Sequence, residues 1–213
     1  MLERRKRILL WVMSALAVGF GLFSIMVILF PDSLLDREFS KEVQEHHSVF
    51  LDALMKWISI PGYMPYSGIM IVLTAAIFLL FRYKKEALYI LLTASAGIVS
   101  SAFKILINRP RPTESVVRIV EKAKHQSFPS GHVLFYVVFF GFLVLLMRHL
   151  KTLPLVLRFG VSIICLILIF TVPLSRIYLG AHWFTDVTAG FLLGLICLFF
   201  LSYFYLRKVN SKV

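Results

Sequence analysis

Charge is scarce in this chain of 213 residues: only 16% are Asp, Glu, Lys or Arg, while 59% are hydrophobic. At this length so little charge excludes an ordinary soluble core and points to a protein that crosses a bilayer several times. Cysteine is almost missing. Cys165 and Cys197 both lie in apolar runs and supply neither a disulfide framework nor metal-ligand spacing. Acidic residues number 11 against 23 basic ones, a net charge of +12. Internal repeats, low-complexity tracts and flexible linkers are lacking too, so residues 1–213 read as a single domain. A cleaved signal peptide is excluded, because the uncharged run over residues 8–30 is too long and has no small-residue cleavage site.

What is present is a series of apolar runs at about residues 8–30, 66–81, 87–106, 131–148, 158–175 and 185–206. Several lie near the lower limit of roughly 17 residues for a spanning helix, so polar residues at their ends complete the crossing at the interface. The fold class is all-α, a bundle of six transmembrane helices. Arg4, Arg5, Lys6 and Arg7, then Arg82, Lys84 and Lys85, then Arg148, Lys151 and Arg158, and finally Arg207, Lys208 and Lys212 all fall on one side of six crossings. By the positive-inside rule that side is cytoplasmic and holds both termini.

The first outer loop, residues 31–65, is acidic, with Asp32, Asp36, Glu38, Glu42, Glu45 and Asp52 against Arg37, Lys41 and Lys56. Within it Leu35, Phe39, Val43, His46, Phe50, Leu54 and Trp57 recur every three or four residues. This predicts an amphipathic helix over about 34–58 lying on the membrane surface. His46 and His47 read as interfacial polar residues, since no cysteine or carboxylate completes a ligand set with them. The second outer loop reverses the charge: Lys104, Arg109, Arg111, Arg118, Lys122 and Lys124 stand against Glu114 and Glu121. An outer basic cluster attracts an anion. With the remaining positive charge explained by topology, no nucleic-acid partner is implied.

Three polar clusters mark the outer ends of spans three to six: KILINRPRP from Lys104, PSGH from Pro129 and SRIYLGAHWFTD from Ser175. His182 and Asp186, four apart, share a helical face, where a carboxylate can fix the imidazole tautomer and leave the other nitrogen as a nucleophile. The plainer reading is an interfacial ion pair. Pro-Ser-Gly-His has the form of a helix start: Ser130 can cap it, Gly131 admits a ligand close to the backbone, and the free N–H groups of the first turn favour an anion. His132 can donate a proton to a leaving oxygen. Arg111 and Arg176 supply planar forks for phosphate oxygens and Lys104 a compact charge, although each alone could be a snorkelling interface residue.

Together these residues resemble the type 2 phosphatidic acid phosphatase superfamily, the lipid phosphate phosphatases. Its signature, Lys-x6-Arg-Pro, Pro-Ser-Gly-His and Ser-Arg-x5-His-x3-Asp, is matched from Lys104 to Arg111-Pro112, from Pro129 to His132 and from Ser175-Arg176 to His182 and Asp186. Arg109 is also followed by proline, but only Arg111 has the family spacing. The resemblance implies His182 as nucleophile, Asp186 orienting it, and His132 protonating the leaving oxygen. It implies Lys104, Arg111, Ser130, Gly131 and Arg176 as phosphate ligands, with no metal and no cofactor. It further implies removal of a terminal phosphate from a membrane lipid on the extracytoplasmic face. An undecaprenyl pyrophosphate substrate is slightly preferred, with phosphatidylglycerol phosphate or phosphatidic acid as alternatives. A vanadium haloperoxidase shares the motifs, but that class is soluble. A lipid transporter or inactive binding protein has no need of both histidines with Asp186. Asp186 is the one carboxylate in the three motifs, too few for a magnesium site by its chemistry. Small residues in ASAGIVSS from Ala94, and Gly190 with Gly194, suit either a groove for a lipid tail or close helix packing, the latter being favoured. The oligomeric state is not readable.

Overall fold

A computed structural model describes residues 2–210. Lys212, and the side chains of Arg5 and Lys208, which enter the topology reading, lie outside the described residues. Among the described residues the fold is all-helical: α1 (Leu2–Leu29), α2 (Leu34–Gln44), α3 (Val49–Ser59), a 3₁₀ turn (Ile60–Gly62), α4 (Tyr66–Leu80), α5 (Lys84–Leu92), α6 (Ser95–Ile107), α7 (Gly131–His149), α8 (Leu155–Tyr178) and α9 (Phe184–Asn210). Five candidate spans are long and apolar enough to cross a membrane: Lys6–Leu29, Lys84–Ile107, Gly131–His149, Leu155–Tyr178 and Phe184–Arg207. A sixth forms only if Val49–Gly62 and Tyr66–Leu80, bent by 57° at their junction, count as one crossing. The chain is a multi-pass membrane protein.

The first outer loop differs from the single amphipathic helix predicted for it. The helix stops at Gln44 and restarts at Val49, where the Ser48 hydroxyl accepts the N–H of Leu51 at 3.1 Å and caps a new helix. The two halves have different surroundings. Helix α2 buries a polar stripe, Asp36, Ser40 and Gln44, while the predicted apolar residue Leu35 stays exposed. Gln44 fastens that stripe by donating to the carbonyls of Arg118 and Tyr178, both at 2.8 Å. Helix α3 is tied to α8 by hydroxyls, with Ser59 and Ser175 at 2.7 Å and Ser175 donating to the Met55 carbonyl at 2.6 Å.

The third span is also broken. At Thr93 and Ala94 the backbone tightens, each N–H bonding the carbonyl three residues back, and the Thr93 hydroxyl adds a further bond to the Ile90 carbonyl at 2.5 Å. The i−3 bonding separates α5 from α6 within one candidate crossing.

Helix α7 is the central element, burying Val133, Leu134, Tyr136, Val137, Val138, Phe139, Phe142 and Leu146 among α6, α8 and α9. Its approach to α9 depends on absent side chains. A Cβ on Gly190 would lie 2.7 Å from the Ser130 carbonyl oxygen, and one on Gly194 would lie 2.8 Å from Val137 Cβ. This small-residue stripe therefore serves helix packing. Helix α1 packs mainly on α9 and leaves most of its surface to lipid, with Phe20 edge-on to Phe103 at 4.9 Å.

Candidate functional site

The C-terminal end of α6, the N-terminal end of α7, the C-terminal end of α8 and the N-terminal end of α9 gather at one end of the bundle, with residues 108–130 folded over them. His182 sits just before α9 and is 2% exposed. Its Nε2 lies 3.2 Å from Arg111 Nη1. A guanidinium can only donate, so Nε2 carries the lone pair and the proton sits on Nδ1. Nδ1 faces Asp186 Oδ2 at 3.6 Å and the Ser127 hydroxyl at 3.4 Å. The direct histidine–carboxylate hydrogen bond expected from the i, i+4 spacing is thus not formed. Asp186 Oδ2 instead accepts from the Ser127 hydroxyl in a short contact and from the Trp183 N–H at 2.9 Å. The imidazole pKa lies well below that of an ordinary histidine. Burial is the largest cause, followed by the cations Arg111, Lys104 and Arg176, and a backbone bond to Ser127 opposes them.

The cations are held chiefly by carbonyls. Arg111 donates to the carbonyls of His125 at 2.8 Å, Lys124 at 2.9 Å and Gln126 at 3.3 Å, and to that of Ala181 in a short contact. Burial and then the neighbouring Arg176 push its pKa down to about 10, against the pull of Asp186 and Glu121. Lys104 donates to the Gln126 carbonyl at 2.5 Å. Arg176 is buried and donates to Tyr63 Oη at 2.9 Å, the Ser59 hydroxyl at 3.1 Å and Glu121 Oε1 at 3.4 Å. Tyr63 in turn donates to Glu121 in a short contact.

Ser130 precedes α7 but, contrary to expectation, its hydroxyl makes no capping bond. Its N–H goes to the Asp186 carbonyl at 3.0 Å, and its Oγ is buried with no partner. The same holds for His132 Nε2 and Arg176 Nε. Three buried polar atoms from two of the motifs are thus left for a ligand to satisfy. Gly131 lets α7 approach α6, since a Cβ there would lie 3.1 Å from Ser100 Oγ. The His132 ring stands edge-on to Tyr63 at 4.7 Å, and a Cβ on Gly62 would come within 2.3 Å of it.

Arg109 is absent from this cradle. It lies beneath, buried between Asp36 and Asp186. Sequence reasoning missed Asp36, Ser127 and Thr185 on that side and Tyr63 and Glu121 on the other. A signal was available for the first: Asp36, Ser40 and Gln44 recur every fourth residue, a polar face of its own.

A cleft of about 1050 Å³ opens from the cradle between α4 and α6. Lys104, Arg111, Gly131 and His132 line its polar end, and Gly68, Ile71, Ala94, Gly97, Ile98 and Ile105 its apolar flank. The ASAGIVSS stripe thus lines space, although close packing was favoured for it. Among the described residues, no three His, Cys, Asp or Glu side chains group so as to hold a metal ion.

An all-helical membrane bundle with cations and two histidines converging at the ends of four helices has the architecture of a membrane-embedded anion site. The PAP2 superfamily model matches residues 85–210, and the chain belongs to that superfamily. Phosphatidylglycerophosphatase B of Bacillus subtilis (strain 168) is 32% identical over 180 residues, covering 82% of this chain and 85% of that protein. The bacitracin transport permease protein BcrC of Bacillus licheniformis is 38% identical over 87 residues, 40% of this chain and 37% of that one. Among solved structures, a transmembrane PAP2-type phosphatidylglycerolphosphate phosphatase from Bacillus subtilis matches with a TM-score of 0.80 at 25% identity, covering 92% of this chain and 97% of that one. Aquifex aeolicus LpxE matches in fold with a TM-score of 0.64 at 22% identity, covering 81% of this chain and 97% of that one.

Proposed function

We propose that this membrane PAP2 lipid phosphatase removes the terminal phosphate of a lipid phosphate through a phosphohistidine on His182. The observation that carries the reading is the 3.2 Å approach of Arg111 to Nε2 of His182, with Ser127 and Asp186 behind Nδ1. In the first step the Nε2 lone pair forms a bond to phosphorus while the bond to the lipid oxygen breaks, and His132 gives that oxygen a proton. In the second, water attacks phosphorus, the N–P bond breaks, and His132 takes the water's proton, returning both histidines to their starting states. Ser130 Oγ, Arg176, Arg111 and Lys104 hold the phosphoryl oxygens, and their fixed charges stabilise the transition state without a metal. A bound phosphate dianion also favours the protonated form of His132.

The cleft supports a substrate whose tail stays among the helices while its headgroup enters the cradle. Phosphatidylglycerol phosphate is the substrate that the relatives' names favour; a polyprenyl pyrophosphate is the alternative. The single-domain reading goes with this function. Basic residues at the opposite helix ends support cytoplasmic termini and an extracytoplasmic site. The test is phosphate release by the purified protein from a panel of diacyl and polyprenyl phosphates. Turnover of at least one, abolished in His182→Ala and unchanged by a chelator, is expected. Full activity in folded His182→Ala overturns the nucleophile, and stimulation by Mg²⁺ after chelation overturns the metal-free site.

A further inference from the structure

Below the cradle lies an ionic layer that the reaction as written does not use. Arg109 has no exposed side-chain surface and bridges two carboxylates equally closed to solvent, Asp186 Oδ1 at 2.6 Å and Asp36 Oδ2 at 2.7 Å. Its remaining bonds go to the Thr185 hydroxyl at 2.7 Å and the Pro31 carbonyl at 2.8 and 3.1 Å. Asp36 accepts the Thr185 N–H at 2.8 Å, the Thr185 hydroxyl at 2.9 Å and the Ser33 hydroxyl at 2.8 Å. The layer is fully bonded and joins α2, the segment before α7 and the start of α9.

Its charge arithmetic bears on His182. A guanidinium on Asp186 alone, in a buried site, would cancel most of the field that this carboxylate exerts on the imidazole. Asp36 restores it: two carboxylates and one guanidinium leave one net negative charge, as a lone Asp186 would carry. The fork of Arg109 meanwhile fixes Asp186 Oδ1, so that Oδ2 stays turned towards His182. We propose that Arg109 and Asp36 are a positioning pair for the His182–Asp186 couple, the arginine orienting the carboxylate and Asp36 preserving its charge.

The inference rests on His182 being the nucleophile. The other charged or titratable groups around His182 are Lys104 on α6, Arg111 on the loop, His132 on α7 and Arg176 on α8. Glu121 and Tyr63 stand behind Arg176. None of them is altered by substitutions in the lower layer. Asp36→Asn leaves Arg109 paired with Asp186 alone, disfavours the imidazolium, and moves the acid limb of the kcat/KM profile to lower pH. Arg109→Gln leaves two facing carboxylates and moves it to higher pH. A purely structural role does not produce opposite shifts.

The experiment measures phosphate release from dioctanoyl phosphatidic acid by the full-length protein in detergent, against pH, with His182→Ala alongside and thermal unfolding recorded for each variant. Expected are limb shifts of opposite sign, a kcat about tenfold lower in Asp36→Asn, corresponding to about one pKa unit of lost imidazolium stabilisation, and little change in KM. Asp36→Asn/Arg109→Gln should recover the native limb. Coincident limbs in folded single variants, or a double variant displaced further than either, overturn the pair while leaving a dead His182→Ala to support the nucleophile. Active His182→Ala overturns the nucleophile itself. If Asp36→Asn does not fold, Arg109→Lys decides: it keeps the charge and loses the fork, so the limb should stay and kcat should fall, and unchanged kcat with a displaced limb overturns the proposal.

Discussion

The two arginines of Arg109-Pro-Arg111-Pro head two layers of one site that handle charge in opposite ways. In the upper layer Arg111 and Lys104 are fastened by neutral carbonyls, which fix a cation's position without cancelling its charge. In the lower layer Arg109 meets two carboxylates and is neutralised. A cradle for an anion must keep its charge unpaired until the anion arrives, whereas a support beneath it must be stable when no anion is there. Arg176 lies between these extremes, its fork shared by Glu121, Tyr63 and Ser59.

The largest effect that sharpens this contrast is expected from Arg111→Gln. Losing one charge-assisted donor to the phosphoryl oxygens should lower kcat about 10²- to 10³-fold. Unfolding should move only modestly, because the Lys124 and His125 carbonyls lie at exposed residues and can meet water, while those of Gln126 and Ala181 and the Nε2 of His182 also lose a partner. A large drop in Tm with modest kinetic loss would place Arg111 in the supporting layer instead.

The next effect is a pH dependence in which activity and stability part. The pKa of His182 is depressed in the folded protein, so below about pH 6.5 the unfolded chain binds a proton that the folded site refuses. Stability therefore rises with pH across the window between the folded and unfolded values and is lost as pH falls through it. His182 itself stays neutral over the same window. Thermal unfolding and kcat/KM measured from pH 7.5 to 5 should show Tm declining before the acid limb of turnover is reached. A limb at or above pH 6.5 would mean that burial and the upper cations do not hold the imidazole pKa down.

The smallest effect concerns the cleft. Gly97 has open space where a Cβ would stand, so Gly97→Leu should fold normally. It should raise KM for long-chain lipid phosphates several-fold and leave dioctanoyl phosphatidic acid almost unaffected. Equal loss on both substrates would remove the cleft from the path of the tail.

The upper layer was legible because its chemistry comes as fixed spacings of unlike residues, from Lys104 to Arg111 and from His182 to Asp186. The lower layer was not. Asp36 lies 150 positions before Asp186, in a segment whose apolar period drew attention to Phe39 and Val43 while its buried face was the polar one. Periodicity finds burial driven by water's exclusion of apolar groups and is blind to burial driven by ion pairing. The break at Thr93 was equally hidden, since a hydroxyl inside an apolar run reads as a tolerated substitution until its bond to the Ile90 carbonyl is seen. The two small-residue stripes carried the same pattern and diverged, one against α7 and one onto empty space.

The cleft between α4 and α6 has apolar walls at one end and ammonium and guanidinium groups at the other, and in the proposed reaction that asymmetry would govern departure as well as arrival. After cleavage the two halves of the substrate no longer share a solubility. The dephosphorylated lipid can slip sideways into the bilayer while orthophosphate diffuses towards water, so a build-up of either one need not block the other's exit.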